Sequence, residues 1–364
     1  MMQILKRVGL ALAAPALALV IAAGLASLLL AVTGANTSGF WDTMLTVPEH
    51  RNLVNILNYS SILYLSGIAA AIGFRMNLFN IGVEGQYRIG AFAAAVVAGE
   101  AWLPGKANTI LAILVAMVAG ALWAGIAGLL RVTRGVSEVI STIMLNAVAG
   151  LLVGFLVKKI GISSGVTSST KPIPEDGWIG GFQIFGDVPA SVLGLALLAP
   201  LAGIIYHVVI NRTKFGFNLR ATGSSETAAV ASGVDVKRMV VISMLLSGVV
   251  AGLIGMPTLF GQAHNYGTSF ETGIGFAGIA VALLGRNNPV GIAFAAVVFA
   301  FLQDRGNLLN ILAGVAPEIV QVTQGVIVLA VVIAYEIVRR YRVNLEQAAV
   351  ARQVAATTHE EVRA

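Results

Sequence analysis

Cysteine is absent from the 364 residues, which excludes disulfides, thiolate metal sites and a cysteine nucleophile. Charge is scarce: Asp, Glu, Lys and Arg make up 11% of the chain, against roughly a quarter in soluble domains. The four histidines, His50, His207, His264 and His359, are far apart. No HExxH, GxSxG or clustered acid pair supplies a catalytic or metal centre. A Walker A loop is also missing. The nearest fragment, PGKA at 104–107, lacks the earlier glycine and the Ser/Thr after Lys106, so any ATP used with this chain binds to another one. The net charge of +6 comes from basic residues standing singly between apolar runs. That is unlike the aromatic-interleaved patch of a nucleic-acid binder.

What the sequence has in abundance is hydrocarbon. It is 57% hydrophobic with a mean hydropathy of +0.86, the composition of an integral membrane protein, here an all-α polytopic helical bundle. The run 8–32 follows Lys6 and Arg7. It exceeds the 7 to 15 apolar residues or so of a signal peptide and reads as a retained first span with a cytoplasmic N-terminus. Further spans are expected at 53–74, 86–103, 109–130, 139–157, 190–210, 239–260, 273–284, 289–302 and 317–338, about ten in all. The eighth and ninth are shorter than the roughly 20 residues of a straight crossing and are expected to be broken or tilted.

Threading the chain from inside places Lys and Arg on the cytoplasmic side by about three to one, as the positive-inside rule requires. Residues 1–338 then form the membrane domain and 339–364 a cytoplasmic tail. The Ser/Thr/Gly/Pro-rich loop 158–189 falls outside and 211–238 inside. The inner loop contains SSETAAVASG, with a serine N-cap and Gly233 as a stop, and is expected to form a short amphipathic helix on the membrane surface.

One stretch breaks the apolar pattern. Residues 73–90 read GFRMNLFNIGVEGQYRIG, placing Asn77, Asn80, Glu84 and Gln86 where hydrocarbon offers no hydrogen bonds. Glu84 and Arg88, four apart, are expected to pair on one helix face. The amides either cap broken helix ends or bind a polar solute. In the fifth span Ser141 and Thr142 read as bonds between helices, whereas Asn146 lies deeper and is the better ligand candidate. Further along, Asn265, Tyr266, Thr268 and Ser269 are expected at the outer mouth, and Phe276 could either pack or stack on a planar solute.

Residues 66–79 (SGIAAAIGFRMNLF) and 247–260 (SGVVAGLIGMPTLF) share five identities and run in opposite directions in the threaded chain, as inverted-topology repeats do.

Four segments together resemble one family: NLFNIGVEGQ at 77–86, GVSEVISTIMLN at 135–146, GFNLRATGSSETAAVASGVDVKR at 216–238 and VALLGRNNPVG at 281–291. They are similar to the permease subunits of bacterial ABC importers for nucleosides and simple sugars, within the larger group that also serves ribose, galactosides and branched-chain amino acids. The resemblance implies an inner-membrane permease that moves a nucleoside or sugar by alternating access and performs no chemistry on it.

The resemblance also implies partners. These are a second, homologous permease, a cytoplasmic ABC ATPase that holds the ATP and Mg, and an extracytoplasmic solute-binding protein. Membrane lipid surrounds the assembly, and this chain itself is expected to bind no cofactor. Ser225, Glu226, Ala228, Ala229 and Gly233 would belong to the coupling helix that docks on the ATPase. Glu226-Thr227-Ala228 stands where the wider family has Glu-Ala-Ala. The substrate path or gate would involve Asn77, Asn80, Glu84, Gln86, Asn146 and Phe276. Other readings are a permease for branched-chain amino acids or sugars, an ion-coupled secondary transporter relying on Glu84, and a membrane scaffold.

Overall fold

The computed structural model describes residues 20–164, 167–267 and 270–313, with residue 17 and scattered residues between 319 and 347. The expected span 317–338, the tail 339–364 and most of 8–19 lie largely outside the described residues. The chain divides into two units, Val47–Asp304 and Met1–Thr46 with Arg305–Ala364.

In the smaller unit, α1 (Val20–Val32) is followed by α2 (Thr37–Leu45), whose N-cap Asn36 accepts the Gly39 N–H at 2.9 Å. Trp41 donates its indole N–H to Ser27 at 3.0 Å, pinning the two helices together.

The larger unit holds the bundle. Its long helices are α3 (His50–Phe74), α4 (Val83–Glu100), α5 (Gly105–Arg134) and α6 (Glu138–Ile160). After a hairpin of β1 (Ile162–Ser164) and β2 (Thr167–Ser169) come α7 (Leu198–Arg212), the short α8 (Lys214–Ser224) and α9 (Glu226–Ala231), and α10 (Val236–Leu253). Then follow α11 (Met256–Thr258), α12 (Ile274–Leu284) and α13 (Pro289–Ala313), the last belonging to this unit as far as Asp304. The turns between them are chemically specified. Gly135 closes α5 with a left-handed φ of +66° after Arg131 and Arg134, and the acid Glu138 opens α6. Thr213, Ser225 and Asp235 cap α8, α9 and α10 with their side-chain oxygens.

Contacts define two ends of this bundle. At one, Arg75 donates to the Asn287 carbonyl, and Arg131 reaches Glu226. At the other, Lys171 pairs with Glu100 at 2.8 Å, Lys106 donates to the Trp178 carbonyl, and His50 bonds Asp187 at 2.7 Å. The helices run between an end that carries Arg75, Arg131 and Glu226 and an end covered by the loop after α6.

The tightest packing joins α5 to α10. Ala116, Gly120, Ala124 and Gly128, spaced by four, form a buried stripe facing Met244, Gly248 and Gly252. A Cβ on Gly120 would fall on the Gly248 carbonyl, so the two backbones touch directly. In lipid, where no water is expelled between helices, such close approach supplies the attraction.

One expectation about span length needs correction and one holds. The ninth span is not short: α13 runs 25 residues, because Asn288 caps its start by accepting the Val290 N–H, and its polar stretch Gln303, Asp304 and Arg305 continues as helix rather than ending it. The eighth is a half-crossing, with 11 residues in α12 that rise only about 16 Å. Six helices among the described residues are long and apolar enough to cross a membrane. The expected total of about ten is not reached among them. The shortfall arises because α4 carries Glu84 and Arg88, α12 is half-length and α1 is described only from Val20.

Candidate functional site

The apolar threading fails at the end of α3. The Arg75 N–H bonds back to Ala71, and Asn77 then adopts a left-handed φ of +58° that turns the chain. An Asn tolerates this conformation better than a branched residue would. Residues 78–82 fold back into the bundle, so α4 begins inside it rather than at its basic end. Their polar groups are satisfied internally. Asn80, fully buried, donates to Gln86 Oε1 at 3.1 Å and Ser247 Oγ at 2.8 Å. It accepts in turn from Gln86 Nε2 and the Gly82 N–H, each at 3.0 Å. Ser247 donates to the Ala69 carbonyl at 2.6 Å. Asn146 of α6 accepts the Gly85 N–H and donates to the Ile81 carbonyl, both at 2.8 Å. The amides therefore serve the broken backbone, one of the two roles expected for them.

Glu84 is the centre of this junction. It is 2% exposed and sits in the first turn of α4. Its Oε1 accepts the Gly273 N–H at 2.9 Å and Arg88 Nε at 2.8 Å, and its Oε2 accepts the Gly275 N–H at 2.9 Å. One carboxylate thus lies at the starts of both α4 and α12, where two sets of unpaired N–H groups and two helix dipoles favour negative charge. Gly275 is required there, since a Cβ would collide with the Glu84 backbone. The expected pairing of Glu84 with Arg88 is present, whereas the partnership with α12, 189 residues away in sequence, was not visible in any local pattern.

Beside this junction the chain between α11 and α12 supplies a second acid, which motif reading missed. The Glu271 carbonyl accepts from the Tyr87 hydroxyl at 3.0 Å, and its Oε1 accepts from the Tyr59 hydroxyl at 2.8 Å. Phe276, in the first turn of α12, is 50% exposed and Asn77 is exposed, so neither lies in the buried network. Tyr266 is buried beneath the loop 158–189, where its N–H bonds Thr170 Oγ1 at 3.0 Å and its ring stacks on Phe270. Thr268 and Ser269 lie outside the described residues. His264 stacks on Trp178 with centroids 3.8 Å apart, and burial holds its imidazole pKa below the ordinary 6.5.

At the basic end, α8 and α9 lie against the same junction. A Cβ on Gly223 would meet the Arg75 carbonyl and Met76. Glu226 reaches Arg131 at 3.4 Å, Arg131 pairs with Glu138, and Glu138 accepts the Phe79 N–H at 3.3 Å. Polar contacts therefore connect α9 to the re-entering strand. Ser225, Glu226, Ala228 and Gly233 are exposed and Ala229 is buried, the amphipathic arrangement expected of a surface helix.

Two clefts among the described residues are apolar. One groove of about 570 Å³ is lined by residues that include Ile89, Leu122, Trp123 and Leu245. Another, of about 210 Å³, is lined by residues that include Ile68, Leu201, Ile205 and Leu253. Neither offers the convergent polar groups that a hydrophilic solute needs.

A sequence family described as "Branched-chain amino acid transport system / permease component" matches residues 52–332. The chain belongs to this permease family. It is a multi-pass membrane protein, and several relatives carry specific names. A glucose ABC transporter permease of Haloferax volcanii is 33% identical over 314 residues, covering 82% of this chain and 80% of that one. A guanosine ABC transporter permease of Bacillus subtilis is 36% identical over 277 residues, covering 75% and 78%. A nucleoside ABC transporter permease of Lactococcus lactis is 31% identical over 331 residues, covering 88% and 90%. The permease fold thus carries a buried Glu84 junction joining two helix starts.

Proposed function

We propose that this permease moves nucleosides, or simple sugars related to them, inward across the bacterial inner membrane by alternating access. The observation that carries the reading is the junction at Glu84. Two helices begin inside the bundle, back to back on one carboxylate, the discontinuous-helix arrangement that transporters place beside a substrate path. The repeated segments 66–79 and 247–260 lead into α4 and α12 respectively, which fits two inverted halves meeting there. Nucleosides rank first because relatives sharing about a third of their residues are named for guanosine and nucleosides. Sugars come second on the strength of the glucose permease.

In this reading a second permease completes the path, an extracytoplasmic solute-binding protein delivers the solute, and a cytoplasmic ABC ATPase docks on α9. Asn80, Glu84, Gln86 and Asn146 form the hinge of the gate, with Asn77 and Phe276 at its edges. Glu84 is unsuited to ion coupling, since Arg88 and two N–H groups already occupy its oxygens.

Reconstituted with its partners in liposomes, the permease is expected to accumulate labelled guanosine only when ATP is present on the ATPase side. Accumulation driven by a proton or sodium gradient without ATP would overturn the proposal.

A further inference from the structure

Glu271 is a second acid beside the Glu84 junction, and the gate described above does not use it. Its backbone is fixed by Tyr87 and one carboxylate oxygen by Tyr59. Tyr59 lies nine residues into α3 (His50–Phe74), about 13 Å along the helix from its first residue, so the carboxylate lies beside the first half of that span. The Glu271 side chain is nonetheless exposed. No Lys, Arg or His pairs with it among the described residues, and no described donor meets its Oε2. Glu84, close by, has taken Arg88. An ionisable group at such depth is costly and is kept for function rather than packing. A glutamine would hold Tyr59 equally well at a smaller desolvation cost.

Its surroundings are those of a sugar-ring site. Asn55, one turn before Tyr59 on the same face of α3, is exposed, as are Thr272 and Phe276. The Glu271 carboxylate and the Tyr59 hydroxyl bonded to it thus stand next to an exposed amide one turn away on α3 and to the exposed Thr272. Neighbouring hydroxyls on a furanose or pyranose ring can donate short, charge-assisted bonds to a carboxylate. A base or the apolar face of the ring can lie on Phe276.

Resting on the proposed nucleoside and sugar transport, we infer that Glu271, held by Tyr59, reads the vicinal hydroxyls of the passing solute and sets the preference for ribo over deoxy forms. Tyr59 acts as a positioning residue.

The test uses the complete importer in liposomes with guanosine and 2′,3′-dideoxyguanosine as probes. The same binding protein serves wild type and variants, so its own preference cancels in the comparison. Glu271→Gln should lower the maximal rate for guanosine about tenfold or more, leave its KM and the dideoxy rate unchanged, and so collapse the ribo-to-dideoxy ratio. Glu271→Asp should recover part of that ratio, and Tyr59→Phe should lower it less than Glu271→Gln does. An unchanged guanosine rate in Glu271→Gln, or a parallel fall for both probes, would overturn the inference while leaving the transport proposal standing. If neither variant set nor wild type transports the dideoxy probe, the guanosine rate at unchanged KM decides alone. Wild type that accumulates neither guanosine nor glucose with ATP would sink both readings.

Discussion

Replacing Glu84 by Gln is the sharpest test of the junction. The substitution keeps the shape and one acceptor oxygen, but it turns an NH2 group towards the N–H that Oε2 now accepts, that of Gly275 at 2.9 Å. That N–H is left unpaired in a buried site, at a cost of about 1 to 3 kcal/mol. Arg88, whose side chain is 25% exposed, loses its counter-charge. A fully buried partner would cost about 3 to 5 kcal/mol, and the partial exposure reduces this. Together the expected loss is about 3 to 4 kcal/mol, roughly 4 to 5 °C in the melting temperature for a chain of this length. Thermal unfolding of the purified protein in detergent reads it. The double variant Glu84→Gln/Arg88→Gln should melt higher than the two single losses add to, by a coupling of about 1 to 3 kcal/mol. A fall below about 1 °C for Glu84→Gln, or strict additivity, would refute the claim that this carboxylate binds the two helix starts together.

Arg131→Gln removes the middle of the contact chain from Glu226 to Phe79, so ATP hydrolysis by the assembled importer should persist while solute moved per ATP falls. Lys106→Gln, at the opposite end, should leave that ratio intact, and equal ratios in both variants would disprove the linkage. Asn80→Ala should cost about 2 to 3 kcal/mol because Gln86 and the Gly82 N–H lose their partner. Asn77→Gly, at an exposed left-handed position, should be neutral or slightly stabilising in the same melting assay.

Because burial depresses the His264 pKa below 6.5, the unfolded chain binds the proton more readily. The stabilising contribution is full above 6.5 and is lost as pH falls through the depressed value. Acidification should therefore loosen the stack on Trp178 and change its fluorescence, a response that His264→Phe should abolish.

Much of this was legible in the residues. The amides at 73–90 are expected either to cap broken helix ends or to bind a polar solute, and the bonds joining Asn80, Gln86, Gly82 and Ser247 fit the first role. The Glu84–Arg88 pair followed from spacing alone, as did the half-length of α12. Three features escaped. The bond from Glu84 to Gly273 and Gly275 joins residues far apart in sequence, and glycines leave no side-chain signal of what their N–H groups meet. The stripe Ala116, Gly120, Ala124 and Gly128 was readable as a spacing of four but was hidden in a chain rich in small residues. Tyr59 and Glu271 look like an ordinary tyrosine and a loop acid until folding brings them together. The sequence ends the ninth span at Leu302 because Gln303, Asp304 and Arg305 resemble an exit from the membrane, yet they continue as helix in α13.

The strand leading into α12 is anchored at both ends. At the top, the Thr170 and Ile173 N–H groups bond the carbonyls of Tyr266 and His264, each at 2.8 Å. At the bottom, Gly273 is bonded to Glu84. Nine Cα steps separate His264 from Gly273, a covalent reach of at most about 30 Å. That covalent reach limits how far the covering loop and the Glu84 junction can part. A push that lifts the covering loop beyond that reach must either tear its own backbone bonds or pull the Gly273 end away from the Glu84 carboxylate. The covering loop and the middle of the bundle are thereby joined by a single short run of covalent chain, held on its way by the Tyr87 hydroxyl on the Glu271 carbonyl.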